Sequence, residues 1–359
     1  MTNPIQSTAV SAWTSGRKTR RDAKGWISGN AVCCPHNGES ADTRGRGGMI
    51  ANADGTVSYS CFNCNFRASY TPGYPLYYKF RKLLRWLNVD EAEIQRLNIE
   101  AKREQQRQEL LGLVKIEHKK EEVKVDFKKE PLPDEALSFM GMMDFFILAN
   151  EGIDEHQPTP EHFKPLPRGL IDSVEYVYDR KIDMQKYDFY WSTDTKNKMN
   201  KRVIIPFTWK NEIIGFTARA LNDDITPKYI QHIDTGYVFN IDKQKKDWKV
   251  VIVCEGVFDA ISIDAVAVLK SDITKTQIDI IEGLDREIIV VPDWNKTGGN
   301  LIDVALANSW SVSFPIWAET CVDINQAVQK YGKLFVLKTI LDSTESNPLK
   351  IKLLRKKYV

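Results

Sequence analysis

The chain has 359 residues, 42% of them hydrophobic and 27% charged, which is apolar material for a sizeable core and too much chain for one average domain. No stretch approaches the roughly 18 consecutive apolar residues of a membrane span, and the N-terminus lacks the apolar segment of a secretory signal, so a cytoplasmic protein without a membrane partner is expected. The formal net charge of +2 conceals two basic runs, "GRKTRRDAKG" at 16–25 and "PLKIKLLRKKYV" at 348–359, whose default meaning is a solvated surface.

The first 75 residues are rich in Gly, Ser, Asn and Cys, with few large aliphatic side chains outside "WIS" and "GMI", and are not expected to build much core unaided. Four of the six cysteines lie between 33 and 64, which in a reducing compartment points to metal before disulfides. "CCPH" offers Cys33 and His36, and "CFNC" offers Cys61 and Cys64. A two-residue spacer lets each pair grip one tetrahedral ion, and thiolate with imidazole selects a single structural zinc. Cys33 is preferred over Cys34 because Cys34 and His36 are too close for that spacing. Nearby, "RGRGG" with Tyr59, Phe62 and Phe66 offers cations for phosphates and rings for the bases of single-stranded DNA, or else the rings form the module's own small core.

Residues 76–118 space Leu, Ile and Trp at three and four and read as helix. From 119 to 135 the pattern dissolves into charge and two prolines, a linker. A helix is expected over 135–152, its Met and Phe stripe facing a core. Strand-like runs follow at "VEYVYD" (174–179), at "RVIIPFTWKNEIIGFTARAL" (202–221), where "KNE" has the place of a hairpin turn, and at "WKVVIVCEG" (248–256). Beyond 255 the order is helix ("VFDAISIDAVAVL"), strand ("REIIVVPD"), helix ("NLIDVALANSW"), strand ("VSFPIWA") and helix ("INQAVQKYGKLFVLKTILDS"). Strands alternating with helices imply a small parallel sheet covered on both faces.

"VVIVC" suits the centre of such a sheet, so Glu255 falls at its carboxyl end, where open α/β folds build binding crevices, and Gly256 permits the turn. "EIIVVPD" delivers Asp293 to the same edge, with Asn295 two residues on, and Asp323 in "CVDINQAV" is expected close behind the third strand. A single acid there is most often a helix N-cap. Three converging carboxylates repel one another and call for a cation, and oxygen-only ligands favour Mg²⁺ or Mn²⁺.

"VIVCEGVFDAISI" and "VVPDWNKTGG" resemble the first and second motifs of the Toprim fold, and "CVDINQAVQKYG" resembles the K-D-x-N-D-A segment of replicative primases of tailed phages. "RVIIPFTWKNEIIGFTARALNDDITPKYIQ" (202–231) is similar to the segment preceding Toprim in bacterial and phage primases. The resemblance implies a multidomain chain: a small β zinc ribbon (1–75), a helical and charged linker (76–133), an α+β half of the RNA polymerase domain (134–245), an α/β Toprim domain with a parallel sheet (246–333), and a C-terminal helix with a basic tail (334–359). It implies a nucleotidyltransferase, a DNA primase that makes short RNA primers on single-stranded DNA from ribonucleoside triphosphates, in a host cytoplasm if phage-encoded. Glu255, Asp293, Asp323 and the weaker ligand Asn295 would hold magnesium, and Asp259 would orient that site. Arg202, Arg219 and Lys228 would hold template or triphosphate, and the ribbon would select the start sequence. Asn295 stands where the family has the second acid of D-x-D. No G-x-x-x-x-G-K-[ST] phosphate loop occurs, so the replicative helicase is expected on a separate chain, with the tail or the charged linker as its contact. Two other readings remain open: a Toprim metal-dependent nuclease, and a non-catalytic zinc-ribbon protein that binds single-stranded DNA.

Overall fold

The computed structural model describes residues 3–37, 39–111, 125–142, 166–270, 272–293, 298–317 and 321–358. The chain divides into two compact units, one of Met1–Glu122, Glu282–Glu287 and Ala305–Trp310, the other of Val123–Ile281, Ile288–Val304 and Ser311–Val359. Among the described residues, no helix is long and apolar enough to cross a membrane.

The first unit opens with helix α1 (Pro4–Thr14), which Asn3 caps by accepting from the amides of Ile5 and Gln6. Five antiparallel strands follow in chain order: β1 (Arg20–Arg21), β2 (Ile27–Gly29), β3 (Gly47–Ala51), β4 (Val57–Cys61) and β5 (Arg67–Tyr70). Alternation along β4 buries Val57, Tyr59 and Cys61. Ile5, Ala9 and Trp13 of α1 join this core, as do Phe80, Leu83 and Leu84 of helix α2 (Tyr78–Trp86) and Ile94 and Leu97 of helix α3 (Glu91–Leu110). The first 75 residues thus contribute more core than their aliphatic content promises. Aromatic rings fill it, and Trp13 is fully buried because its indole N–H finds the Ile27 carbonyl at 2.8 Å. The helical stretch expected over 76–118 is two helices, parted where Asn88 takes a left-handed φ of 61°; residues 112–118 lie outside the described residues. In the same unit the buried Lys82 pairs with Glu282, which also accepts from Trp310 Nε1 at 3.2 Å.

The second unit holds two sheets. In the first, β6 (Ala136–Ser138), β7 (Tyr190–Ser192), β8 (Arg202–Trp209), β9 (Glu212–Ala220) and β10 (Tyr229–His232) lie antiparallel in the order β10-β9-β8-β7-β6. The β8–β9 hairpin turns at Lys210 and Asn211, both left-handed at φ 53° and 64°, which suits the twist of its strands. One expectation fails here and another holds only in part. Residues 174–179 belong to helix α4 (Arg168–Asp179), which buries Leu170, Ser173 and Val177; a six-residue window is too short to separate that spacing from alternation. The helix expected from 135 starts later: Ala136–Ser138 forms β6, residues 139–142 are helical, and residues 143–152 lie outside the described residues.

The last sheet is built from β11 (Val250–Cys254), helix α5 (Val257–Ile263), β12 (Val266–Ala267), helix α6 (Lys275–Glu282), β13 (Glu287–Val290), helix α7 (Gly298–Ala307), β14 (Ser311–Ser313), helix α8 (Ile324–Tyr331), helix α9 (Lys333–Asp342) and β15 (Thr344–Glu345), with helix α10 (Pro348–Tyr358) closing the chain. Its order is β12-β11-β13-β14-β15; β11–β12 and β13–β14 are parallel, while β15 is antiparallel to β14, so the sheet is mixed. The helix expected from 257 stops at Asp264, which is left-handed at φ 60°, and Val266–Ala267 becomes the edge strand. The single helix expected from Ile324 is broken by Gly332 at φ 85°.

Asp264 also ties the second unit together. It accepts from Lys186 at 2.6 Å, Lys333 at 2.5 Å and the Tyr187 hydroxyl at 2.6 Å. Burial pushes its carboxyl up, but these donors outweigh it and hold it below the ordinary 3.8. A depressed carboxylate stabilises the fold above the unfolded value and loses that contribution as pH falls through the folded one. Asp264→Asn is therefore expected to lower stability near pH 7 by about 1.5 kcal/mol, the low end for charged hydrogen bonds because both lysines are some 40% exposed. The gap between the two melting curves should narrow as pH falls below 4. A gap that does not narrow as pH falls below 4 would show that the side chain acts by packing alone.

Candidate active site and metal centre

Every residue of β11 is buried or half-buried, and Glu255 is the first residue beyond it. At Gly256 a Cβ would overlap Asp259 Oδ2, so only glycine lets the chain turn there with Asp259 folded back against it. Asp293 lies just past β13, at the same edge. Asp323 does not follow β14 closely; it caps α8, accepting from the Gln326 amide at 2.7 Å. The N-cap reading of this acid is realised, and its charge still reaches both Asp259 and Asp293.

Neighbouring acidic charges disturb two of these carboxylates, Asp259 and Asp293. Burial, then the charges of Glu255 and Asp323, pushes Asp293 up to about 7. Burial, then Asp323 and Asp293, holds Asp259 well above the ordinary carboxylate range despite the Asn325 amide, which donates to its Oδ1 at 2.8 Å. Burial raises Glu255, and its Oε1 is buried with no hydrogen-bond partner among the described residues. An orphaned carboxylate oxygen among repelling acids is a donor set that a hard divalent cation would satisfy. The oxygens are nonetheless more widely spread than a closed cage: among the described residues, the one group of three or more acidic, histidine or cysteine side chains whose ligand atoms all lie within 4.8 Å is a set of cysteines. Asn295 lies outside the described residues.

Of the cations expected beside this edge, Arg202 is fully buried and is turned inward. Its guanidinium donates to the carbonyls of Pro227 at 2.7 Å and Ala218 at 3.2 Å, so it fastens the 227 turn to β9. Burial, then Arg219, lowers its pKa. Arg219 is nearly buried, with Nε on the Tyr176 hydroxyl at 2.9 Å and its guanidinium 4.8 Å from the centre of the half-exposed Tyr229 ring. Lys228 is exposed.

That cysteine set is Cys33, Cys34, Cys61 and Cys64. Cys33 and Cys64 sulfurs lie 3.3 Å apart and those of Cys34 and Cys61 3.6 Å apart, close to the roughly 3.8 Å edge of a tetrahedron with 2.3 Å zinc–sulfur bonds. Four such thiols can hold zinc. The expected ligand His36 is not among them: its ring stacks flat on Trp86 at 4.6 Å, and Cys34 supplies the fourth donor. The spacing rule treats Cys33 and Cys34 as competitors, whereas the short 3₁₀ turn Cys34–Asn37 after Cys33 lets both sulfurs reach one point. Burial pushes Cys33 far up and Cys34 up to about 11; in Cys61 burial is outweighed by the amides of Cys64 and Asn63, which leave it lowered. Of the three aromatic residues assigned to DNA or core, Tyr59 is buried and Phe66 packs 4.9 Å from Trp86, while Phe62, at the tip between Cys61 and Cys64, is 80% exposed.

Sequence reasoning gives no role to Asn325 or Arg180, which bear on Asp259, or to Tyr176, which accepts from Arg219. The motif "CVDINQ" contained Asn325, but nothing in "VEYVYDR" distinguished Tyr176 or Arg180 from surface residues.

No protein-family model matches the chain, and no curated protein matches it. Among solved structures it is similar to the DnaG catalytic core, at 16% identity over 49% of this chain and 74% of that one, with a TM-score of 0.40. It is similar to a DNA primase domain from Pseudomonas aeruginosa, at 19% identity over 48% and 59% of the two chains, with a TM-score of 0.37. A third is the RNA polymerase domain of Mycobacterium tuberculosis primase DnaG in complex with a double-stranded DNA oligomer with a 6-nucleotide overhang, at 17% identity over 52% and 76%, with a TM-score of 0.43.

Proposed function

We propose that this protein is a DNA primase of the phage type, in which the third sheet is a Toprim domain and the cysteine module is a zinc ribbon. The observation that carries this reading is the buried Glu255 Oε1, without a hydrogen-bond partner among the described residues, near Asp293, which also feels the charge of Asp323. Glu255, Asp293 and Asp323, with Asn295, would hold Mg²⁺ or Mn²⁺, which when bound favours ionisation of the primer 3′-hydroxyl and spreads charge from the α-phosphate and the leaving pyrophosphate. The chain's own residues do the rest. Arg219, braced by Tyr176, and the exposed Lys228 present positive charge to template or triphosphate, and Tyr229 presents a ring face to a base. Arg202 holds the turn that carries Lys228. The ribbon, with Phe62 displayed, selects the start sequence on single-stranded DNA, and the charged linker or basic tail contacts a separate helicase.

Incubating the purified chain with Mg²⁺, four ribonucleoside triphosphates and a mixed single-stranded template is expected to yield short RNA primers whose synthesis stops when Mg²⁺ is withheld. Cleavage of labelled DNA without nucleotides, and no primers, would favour the nuclease reading; neither product would leave a binding protein.

A further inference from the structure

A continuous run of contacts within the second unit leads from the half-exposed Tyr229 to the buried Asp259. The Arg219 guanidinium lies 4.8 Å from the Tyr229 ring, and its Nε donates to Tyr176 at 2.9 Å. Arg180 lies against both Tyr176, 4.5 Å from its ring centre, and Phe258, at 4.8 Å. Those two rings are themselves 5.9 Å apart and near perpendicular. Arg180 Nη1 then donates to the Asn325 side-chain Oδ1 at 2.6 Å, and the backbone N–H of Asn325 donates to Asp259 Oδ1 at 2.8 Å.

Asn325 is the junction. It is 1% exposed, and its side chain is engaged on every polar atom: Oδ1 also accepts from Gln329 at 2.7 Å, and Nδ2 donates to Ser262 Oγ at 2.8 Å and to the Arg180 carbonyl at 3.3 Å. One side chain therefore joins the residue after α4 to α5 and α8, the two helices that carry Asp259 and Asp323. Nothing in this arrangement makes Asn325 or Arg180 a ligand. Both fix where the carboxylates stand. Arg180 is well suited to it, since a planar guanidinium can stack on a ring while its edge donates in a fixed direction, as a lysine cannot.

We propose that Asn325 and Arg180 are positioning residues of the acidic edge: they hold Asp259 and the start of α8 in the geometry that binds a divalent cation, and connect that geometry to the Arg219–Tyr229 surface. The inference rests on reading the acids as a metal site. Partners that orient ligands in this way typically contribute about 10–100-fold in metal affinity.

The test is Mn²⁺ binding to the zinc-loaded full chain by titration calorimetry, with primer synthesis followed against Mn²⁺ concentration. Asn325→Ala and Arg180→Lys should each weaken Mn²⁺ binding about tenfold or more. Their primer synthesis should recover at high Mn²⁺, a rescue that a merely unfolded protein would not show. The Asn325→Ala/Arg180→Lys double variant should lose less than the sum of the two, because the residues act through one bond. Glu255→Gln separates the two ideas. If it leaves Mn²⁺ binding unchanged, the acids are not the metal site. If it abolishes binding while Arg180→Lys and Asn325→Ala stay within twofold of the parent, the metal site stands and the positioning proposal falls. Should Asn325→Ala fail to fold, Arg180→Lys, which keeps the charge and most of the volume, decides the matter alone.

Discussion

Glu255→Gln is expected to lower primer synthesis by on the order of a thousandfold while leaving zinc content and single-stranded DNA binding unchanged. The substitution keeps the shape of the side chain at the end of β11 and removes the charge of a carboxylate whose buried Oε1 has no hydrogen-bond partner among the described residues. A second consequence follows from the same crowding. Glu255, Asp259 and Asp293 all have raised folded values, so each binds its proton more tightly folded than unfolded, and ionising them as pH rises from about 4 towards 7 costs stability in the metal-free protein. Metal-free Glu255→Gln should accordingly melt at a higher temperature than the unmodified chain near pH 7, with the difference shrinking towards pH 4. Near wild-type primer synthesis by this variant would remove the glutamate from the chemistry and most of the case for a catalytic centre at this sheet edge.

Stripping zinc by chelation is expected to unfold the first unit and leave the second largely protected from hydrogen exchange. Structural zinc contributes about 10–16 kcal/mol of apparent binding energy in small modules, which is comparable to the whole stability of a domain. Four thiols crowded together also lose their reason to be buried side by side once the ion is gone. The variants assign the ligands. Cys34→Ser and Cys64→Ser should each reduce the metal content from one zinc to none, whereas His36→Ala should keep the zinc and lose only the stack on Trp86. If His36→Ala released zinc and Cys34→Ser did not, the ligand set would revert to the one that residue spacing alone suggests.

What could be read from the residues beforehand was whatever depends on short runs with one strong physical signal. The run Val250–Cys254 could only be an interior strand, and an acid directly after it had to stand at the sheet edge. The hairpin at 210–211 was legible because a short polar break between two apolar runs has few other solutions. Clustered cysteines announced a metal whatever the exact ligands. Periodicity failed where elements are short. Residues 174–179 alternate like a strand yet belong to a helix whose buried face shows only over a longer stretch, and the edge strand Val266–Ala267 is too brief to announce itself.

Which residues meet across the chain was decided by tertiary structure alone. Cys34 stands with the other three cysteines and His36 does not, because a tight turn can aim two adjacent sulfurs at one point while the imidazole stacks on Trp86, fifty residues away in sequence. Arg202 was an equally good candidate for phosphate as Arg219 by residue type, but the strand buried it against carbonyls and left Arg219 beside Tyr229. Asn325 and Arg180 carried no signal of their own, since an asparagine near a helix start and an arginine after an aromatic run are ordinary in any surface. The sequence by itself determined the kinds of chemistry this protein can perform, because donor type and local spacing are properties of neighbouring residues. The tertiary structure decided which donors are spent on holding the fold and which are left for a ligand, because that depends on burial and on partners that only the folded chain brings together.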